Sequence, residues 1–332
     1  MKKGVYMPFP ISQHGGSVVF VDDDRQYLAV IQSIFSSKWN VKTFLVVDEF
    51  LQFLAGKAAV SSDMDAYQRS AVSRWKKNGS VPVEVLRYWN AFPERYSIPK
   101  VVVIDNHMPE VTGLDALQKC SAWRGKRVLL SGVADELLVT RAFNEGRLDY
   151  YIPKQNSKLM KEIGSCLSLM LEAHDNDCLN LWTPWNLSLR QEYSLLLREA
   201  EIAQALFNFV GTDHEHVVMG EPFGVLALSY EGRLKWLQIE TTETLDEAAE
   251  IALAAGVSKE DAVAIRSGLL LSDARIKKSF GLDVPAVTAV PAFKIRVPNM
   301  NSTVYGASFE VNVPGAPPPQ LCYTAWKERQ QF

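Results

Sequence analysis

The chain has 332 residues, of which 47% are hydrophobic and 22% charged, and its formal net charge is -3. This composition is that of a folded protein and excludes a largely disordered chain. The slightly acidic balance disfavours a nucleic-acid-binding surface spread over the whole molecule. No stretch approaches the ~18 consecutive apolar residues of a membrane span, and residues 1–16 lack the apolar core of a signal peptide. We therefore expect a cytoplasmic protein of two domains.

Strands and helices alternate between residues 17 and 174. Apolar and β-branched runs predict strands at 17–21, 41–47, 101–105, 126–132 and 149–154. Helical spacing of apolar residues predicts helices at 25–37, 48–56, 113–123, 135–145 and 157–174. Five alternations of this kind predict an α/β fold with a doubly wound, five-stranded parallel sheet covered by helices on both faces.

One segment, residues 57–100, interrupts that alternation. It contains AYQRSAVSRWKKNGS and PVEVLRYWNAFPERY, which have the spacing of two amphipathic helices joined at Asn78-Gly79. Its apolar content is too high for a disordered loop. We predict a helical insertion that packs on the first domain.

The second half begins after a polar, Pro-containing stretch at 175–186, which we interpret as a linker. Beyond it the pattern predicts a helix at 187–210, a hairpin at 221–242 around Glu231-Gly232, and helices at 245–255 and 259–271. Short antiparallel strands are expected between 284 and 313. Residues 187–332 are thus predicted to form a smaller α+β domain, and residues 1–16 an N-terminal extension.

Polar residues stand at the carboxyl ends of the predicted parallel strands, where ligands bind in open α/β sheets. Asp22 and Asp23 follow the first strand, Asp105 the third, Ser131 the fourth and Lys154 the fifth. Carboxylates brought together at one edge need a counter-charge, and Mg²⁺ or Mn²⁺ with oxygen ligands would provide it. With the lysine, such a site suits a phosphoryl group for which Asp105 is the nucleophile. Taken alone, the Asp22–Asp24 run is equally compatible with a helix cap.

Four segments, VFVDDD, VVVIDNHMPEVTG, VLLSG and YYIPKQ, resemble the receiver domain of bacterial two-component response regulators, over residues 17–174. The pattern D-x-x-M-P-x-x-x-G beginning at Asp105 is very typical of that family. The resemblance implies a flavodoxin-like receiver that is phosphorylated in the presence of magnesium. It assigns the site residues as follows: Asp105 is the phosphoryl acceptor, Asp22 and Asp23 bind the metal with Asp105 and the backbone carbonyl of His107, Ser131 is the switch hydroxyl, Lys154 is the invariant lysine and Tyr151 is the aromatic residue that reorients.

The resemblance also implies partners and a mechanism of output. A sensor histidine kinase or phosphotransfer protein would supply the phosphoryl group, and the face formed by residues 135–174 would serve a homodimer or an output contact. The sequence departs from the family at one loop, because Pro153 precedes Lys154 and Gln155 follows it, whereas the family has a proline after the lysine.

For the second half, residues 187–332, several functions stay open. We favour a protein-interaction role. A DNA-binding role would use the helices of 255–280, with Arg266, Arg275, Lys277 and Lys278, but their pattern fits a recognition helix poorly. An enzymatic role would draw on DHEHVV, where Asp213, His214, Glu215 and His216 form either a metal site or, as we favour, a solvated polar turn in a loop. Ligand sensing by the hairpin is a further alternative.

Overall fold

A computed structural model describes residues 9–77, 79–132, 136–186, 191–211, 214–281, 286–300 and 302–330. In chain order, its first elements are β1 (Ser12–Gln13), β2 (Ser17–Val21), α1 (Arg25–Phe35), β3 (Val41–Phe44), α2 (Val47–Lys76), α3 (Val81–Ala91), β4 (Pro99–Asp105), α4 (Gly113–Lys119), β5 (Lys126–Ser131), α5 (Glu136–Asn144), β6 (Tyr150–Pro153) and α6 (Leu159–Asn186). They are followed by α7 (Gln191–Leu196), α8 (Ala200–Val210), β7 (His214–Gly220), β8 (Phe223–Ser229), β9 (Leu234–Thr241), α9 (Leu245–Ala254), α10 (Lys259–Arg266), β10 (Leu270–Ser272), α11 (Ala274–Ser279), β11 (Ala289–Pro291), β12 (Phe293–Val297), β13 (Ser302–Glu310) and α12 (Tyr323–Arg329). Short 3₁₀ helices cover Pro93–Ser97, Pro298–Met300 and Pro319–Leu321.

Five of these strands form a parallel sheet in the order β3-β2-β4-β5-β6. Counted among themselves, the strands follow the order 2-1-3-4-5 of the flavodoxin-like fold. The predicted doubly wound sheet is therefore confirmed.

Side chains of the parallel sheet alternate between two apolar cores, because successive residues of a strand point to opposite faces. On β4, Val101 and Val103 join the core beneath α1 and α6. Val102 and Ile104 join the core beneath α2, α4 and α5. The strand is apolar from Val101 to Ile104 because both of its faces are covered there, and Asp105 is the charged residue that ends it.

The predicted ends of two helices are wrong. The second helix does not end at Gly56, because α2 continues to Lys76; a glycine inside a helix costs only about 1 kcal/mol, which is not enough to end it. Residues 175–186, predicted as a linker, are helical within α6, and no Gly or Pro occurs between residues 175 and 183 to interrupt them. The predicted 57–100 insertion is helical in α2 and α3, while Asn78 of its turn lies outside the described residues.

The chain divides into two compact units. One comprises His14–Ala66 and Glu94–Cys178 and holds the parallel sheet; the other comprises the described parts of Met1–Gln13, Tyr67–Pro93 and Leu179–Phe332. This division differs from the sequence-based domains, since residues 67–93 of the insertion group with the second half of the chain. Each unit is therefore discontinuous in sequence.

The second unit contains a six-stranded antiparallel sheet in the order β1-β7-β8-β9-β13-β12. The predicted hairpin is present as β8 and β9, which pair from Gly224 to Leu228. Helices α7 and α8 and the residues around Phe9 share the main apolar core of this sheet, and α9, α10 and α11 share a smaller one.

Three predictions for the second half need correction. The described part of 187–210 forms two helices, α7 and α8, and residues 187–190 lie outside the description. The predicted helix at 259–271 ends at Arg266 and is followed by β10. The predicted polar turn around 213–218 is the strand β7, which pairs with both β1 and β8. None of the described helices has the length and apolar character required to cross a membrane.

Candidate functional site

The parallel sheet brings the predicted site residues to one edge. Asp22 follows β2 directly, and its backbone N–H donates to the Phe44 carbonyl at 3.1 Å. Asp105 is the last residue of β4 and lies opposite Leu130 of β5. Ser131 ends β5, and the N–H of Lys154 donates to its carbonyl at 2.8 Å. The carboxyl ends of four strands thus present one set of polar side chains, as the sequence predicts.

Three carboxylates cluster at this edge. One oxygen from each of Asp22, Asp23 and Asp105 lies within 4.8 Å of the others, as a shared metal ion requires. Asp22 is 2% exposed and Asp105 4% exposed, whereas Asp23 is exposed to solvent. Carboxylate oxygens are the donors that Mg²⁺ and Mn²⁺ prefer, so this donor set fits the metal that the sequence implies.

Lys154 provides the positive charge among these acids. Its Nζ lies 2.8 Å from Asp22 Oδ2 and 3.1 Å from Asp105 Oδ1. Burial opposes its charged form, but the hydrogen bond and charge of Asp22, together with those of Asp105, raise the pKa of Lys154. The ammonium is therefore held in its charged form between the two buried carboxylates.

For Asp22 the surroundings disfavour the charged form. Burial raises its pKa, and the charge of Asp105 acts in the same direction. The hydrogen bonds from Lys154 and from the Asp24 N–H, together with the Lys154 charge, offset only part of this effect. Burial is thus the main reason that its pKa is raised, and the grouping of three carboxylates around one ammonium is what favours the binding of a cation.

The third aspartate of the run has a different task. Asp24 is the N-cap of α1, and its Oδ1 accepts hydrogen bonds from the N–H groups of Gln26 at 2.8 Å and Tyr27 at 3.0 Å. The helix-cap alternative therefore applies to Asp24, while Asp22 and Asp23 belong to the acidic cluster.

The backbone after Asp105 turns tightly beneath the site. The Asn106 N–H donates to the Leu130 carbonyl at 2.8 Å, and the Gly113 N–H returns to the Asn106 carbonyl at 3.2 Å. A Cβ on Gly113 would lie 2.3 Å from the Asp105 carbonyl oxygen. Only glycine fits this close approach, which explains the G of the D-x-x-M-P-x-x-x-G pattern.

The three other predicted site residues, His107, Ser131 and Tyr151, lie in or after the strands β4, β5 and β6. Ser131 Oγ is completely buried and lies 3.3 Å from Nδ1 of the His107 imidazole. Tyr151 is partly buried and packs against the core beneath α2, α4 and α5. Gln155, at the position where the family has proline, donates a side-chain hydrogen bond to the Gly132 carbonyl.

Sequence reasoning missed two side chains of this site. It assigned only the backbone of His107, whereas the imidazole contacts the Ser131 hydroxyl. It did not single out Tyr27, whose ring lies beside Lys154, with Nζ 5.1 Å from the ring centroid. The available signal for Tyr27 was its place in the first turn of α1, three residues after the Asp24 cap.

The basic residues of the DNA-binding alternative are mostly engaged in ion pairs. Arg275 Nη1 lies 3.0 Å from both carboxylate oxygens of Glu240, which is 2% exposed, and Nη2 lies 2.7 Å from Glu247. Further ion pairs link Lys277 to Asp273, and Arg266 to Asp246 and Glu250. Helix α11 has only six residues. The charges of Arg275 and Lys277 are thus used within the fold, which adds to the poor fit of the DNA-binding alternative.

The histidine-rich segment also has a structural use. Glu215 and His216 are each 1% exposed on β7. His216 Nε2 lies 3.0 Å from the Pro10 carbonyl, and its ring stacks on Phe9 with centroids 4.6 Å apart. The side chain of His214 and the whole of Asp213 lie outside the description. His216 is therefore a packing residue of the second sheet.

Fold comparison finds solved structures of a response regulator and of receiver domains that are similar to this chain. The full chain resembles the structure of the response regulator LqsR from Legionella pneumophila, with a TM-score of 0.67, 19% identity, and coverage of 97% of both chains. At this identity the likeness shows the fold alone.

Other solved structures match about half of this chain. A receiver domain of an HD-domain protein from Pseudomonas fluorescens covers 49% of this chain and 99% of its own, with 18% identity and a TM-score of 0.34. A CheY-like receiver from Methanospirillum hungatei covers 49% and 99%, with 15% identity and a TM-score of 0.33. No protein-family model matches the sequence, and a search of curated proteins finds no match.

Proposed function

We propose that this protein is a two-component response regulator in which Asp105 accepts a phosphoryl group. The strongest support is the geometry of Asp105, a buried carboxylate that contacts Lys154 and lies within 4.8 Å of two further carboxylates. The donor would be a sensor histidine kinase or a phosphotransfer protein, and the reaction would take place in the cytoplasm, as the sequence leads us to expect.

The reaction follows from the chemistry of these side chains. A carboxylate oxygen of Asp105 forms a bond to phosphorus as the bond from phosphorus to the donor's imidazole nitrogen breaks, and the freed imidazole takes a proton from solvent. Lys154 neutralises charge on the transferred group. Asp22, Asp23, Asp105 and the His107 carbonyl would hold Mg²⁺ or Mn²⁺, which supplies further neutralisation of the phosphoryl oxygens.

Phosphorylation would then be coupled to the fold through Ser131. Its hydroxyl leaves the His107 imidazole and donates a hydrogen bond to a phosphoryl oxygen. The movement of the β5–α5 loop gives Tyr151 room to rotate inward. Both changes alter α5, β6 and α6, which make up most of the predicted 135–174 face.

An acceptor variant tests the assignment. Wild-type protein incubated with Mg²⁺ and a small radiolabelled phosphodonor should acquire acid-stable, base-labile label, and Asp105→Asn should acquire none. Asp115→Asn is the matched control, because Asp115 is an exposed carboxylate ten residues away that only contacts the Thr112 cap. Labelling of Asp105→Asn at the wild-type level would refute the proposal.

For the output we propose protein interaction, including a homodimer through the 135–174 face. Exposed apolar side chains on α5 support this, since Leu137 is 80%, Leu138 52% and Phe143 40% exposed. Light scattering after size exclusion should give a dimer mass with a beryllofluoride phosphate mimic and a monomer mass without it. A monomer mass under both conditions would contradict the homodimer. In a separate assay, salt-dependent binding to generic duplex DNA would favour the DNA-binding alternative instead.

A further inference from the structure

Tyr27 lies at the edge of the acidic site but belongs to none of its predicted roles. Its ring packs against the core beneath α1 and α6, and its face is directed at Lys154, whose Nζ lies 5.1 Å from the ring centroid. Its hydroxyl is buried and makes no hydrogen bond to any residue in the described part of the chain. Burial and the nearby charges of Asp22 and Asp105 raise the pKa of Tyr27, which keeps the phenol uncharged beside the ammonium.

Among the described residues, the Lys154 ammonium has three partners, which are two carboxylates and one aromatic ring. The contacts with Asp22 and Asp105 use oxygen atoms of two carboxylates that would also bind a divalent cation. A phosphoryl group on Asp105 would consume one of those oxygens. The ring face attracts a cation through its quadrupole but is not a ligand for a hard metal ion, which takes oxygen donors. It is therefore the partner for which neither the metal nor the phosphoryl group competes.

We propose that Tyr27 is a positioning residue for Lys154: its ring holds the ammonium at the mouth of the site while metal and phosphoryl group occupy the carboxylates. The effect on phosphorylation rests on the proposed function of Asp105. The contact between ring and ammonium does not, so the two can be tested separately.

The kinetic test compares Tyr27→Leu, which removes the ring, with Tyr27→Phe, which keeps the ring and removes the hydroxyl. We expect Tyr27→Leu to slow Mg²⁺-dependent phosphorylation by about threefold to tenfold, the size of one cation–π contact, and Tyr27→Phe to stay within about twofold of wild type. Tyr150→Leu is the matched control, since Tyr150 is a partly buried tyrosine packed on the same core. It should leave the rate unchanged.

The spectroscopic test needs no phosphodonor. The Cε–H signals of Lys154 should be shifted upfield by the ring current of Tyr27 in wild-type protein and in Tyr27→Phe, and should return to ordinary positions in Tyr27→Leu. Absence of the upfield shift in wild-type protein would overturn the contact itself.

The outcomes distinguish the two proposals. If wild-type protein takes up no phosphoryl label while the upfield shift is present, the function of Asp105 is refuted and the ring contact stands. If wild-type protein is labelled and Tyr27→Leu, shown by circular dichroism to be folded, is labelled equally fast, the positioning role is refuted. Equal slowing by Tyr27→Phe and Tyr27→Leu would also refute it, because the hydroxyl rather than the ring would then be responsible.

Discussion

The acidic site and the Glu240–Arg275 pair both bury a carboxylate beside a cation, yet their charges are balanced differently. Arg275 contacts both oxygens of Glu240, and the Gln238 amide donates a further hydrogen bond to Glu240 Oε1 at 2.8 Å. At the acidic site, one ammonium faces three carboxylates, one of which is exposed to solvent.

That difference separates a structural ion pair from a binding site. The buried Glu240 carboxylate is held at both oxygens by Arg275 and by a further amide hydrogen bond, and the second acid beside Arg275, Glu247, is exposed to solvent, so this pair is satisfied without a ligand. An excess of carboxylates at the open edge of a sheet costs stability unless a cation binds, so its presence points to function. Stability measurements on single variants of each region test this difference.

The largest loss of stability is expected at the Glu240–Arg275 pair. Arg275→Met would leave Glu240 buried without its cation and should lower the free energy of unfolding by about 3–5 kcal/mol, measured by chemical denaturation. The control is Arg266→Met, which removes an exposed ion pair and should change stability by no more than about 1 kcal/mol. Equal losses of stability in the two variants would show that the Glu240–Arg275 pair stabilises the fold no more than an exposed ion pair does.

An intermediate effect is expected in the backbone that supports the acidic site. Gly113→Ala forces a Cβ against the Asp105 carbonyl and should cost about 2 kcal/mol of stability. Gly56→Ala is the opposite case, because a Cβ there meets no atom within 4 Å inside α2, and it should stabilise the protein by about 0.5–1 kcal/mol. Thermal unfolding of both variants measures the two changes in stability. A Gly113→Ala protein as stable as wild type would contradict the prediction.

The smallest effect concerns the excess charge itself. Because the folded-state pKa of Asp22 is raised, the folded protein binds more protons than the unfolded chain between the ordinary and the raised value, and stability falls as pH increases through that interval. Asp22→Asn removes this charge and should stabilise the metal-free protein by about 1 kcal/mol at neutral pH. The advantage should shrink at acidic pH.

The same variant also probes the metal. Mg²⁺ should raise the melting temperature of wild-type protein by mass action and should raise that of Asp22→Asn less, because one ligand is lost. A wild-type protein that is more stable than Asp22→Asn in metal-free buffer at neutral pH would show that the acidic site is balanced after all.

The parallel sheet and the grouping of the acidic residues could be predicted because both follow from short runs of apolar residues and from the residues that end them. A doubly covered strand must be apolar, and the residue that ends it is at the ligand edge, so Asp105 and Lys154 could be placed from strand ends alone. The end of α2 could not be predicted in this way, since a glycine such as Gly56 is only a weak stop signal.

Contacts between distant residues could not be predicted from such patterns. Glu240 and Arg275 are separated by 35 positions. Arg275 lies on a helix that looks basic in the sequence, and its ion pair with Glu240 depends on the packing of α11 near β9. Likewise, the contact between His107 and Ser131 depends on two adjacent strand ends and on a side-chain rotamer. The spacing of apolar residues in the sequence predicts neither. Position in the sequence therefore located the strand ends, but not the side-chain partners.

The division of the chain has a consequence for how this protein can be altered. The unit with the parallel sheet is interrupted between Ala66 and Glu94 by residues that belong to the other unit, and that other unit also includes β1. A single cut in the gene therefore cannot excise either unit intact. Exchange of either unit by simple recombination, which suits proteins whose domains follow one another, would have to transfer several segments of this chain at once.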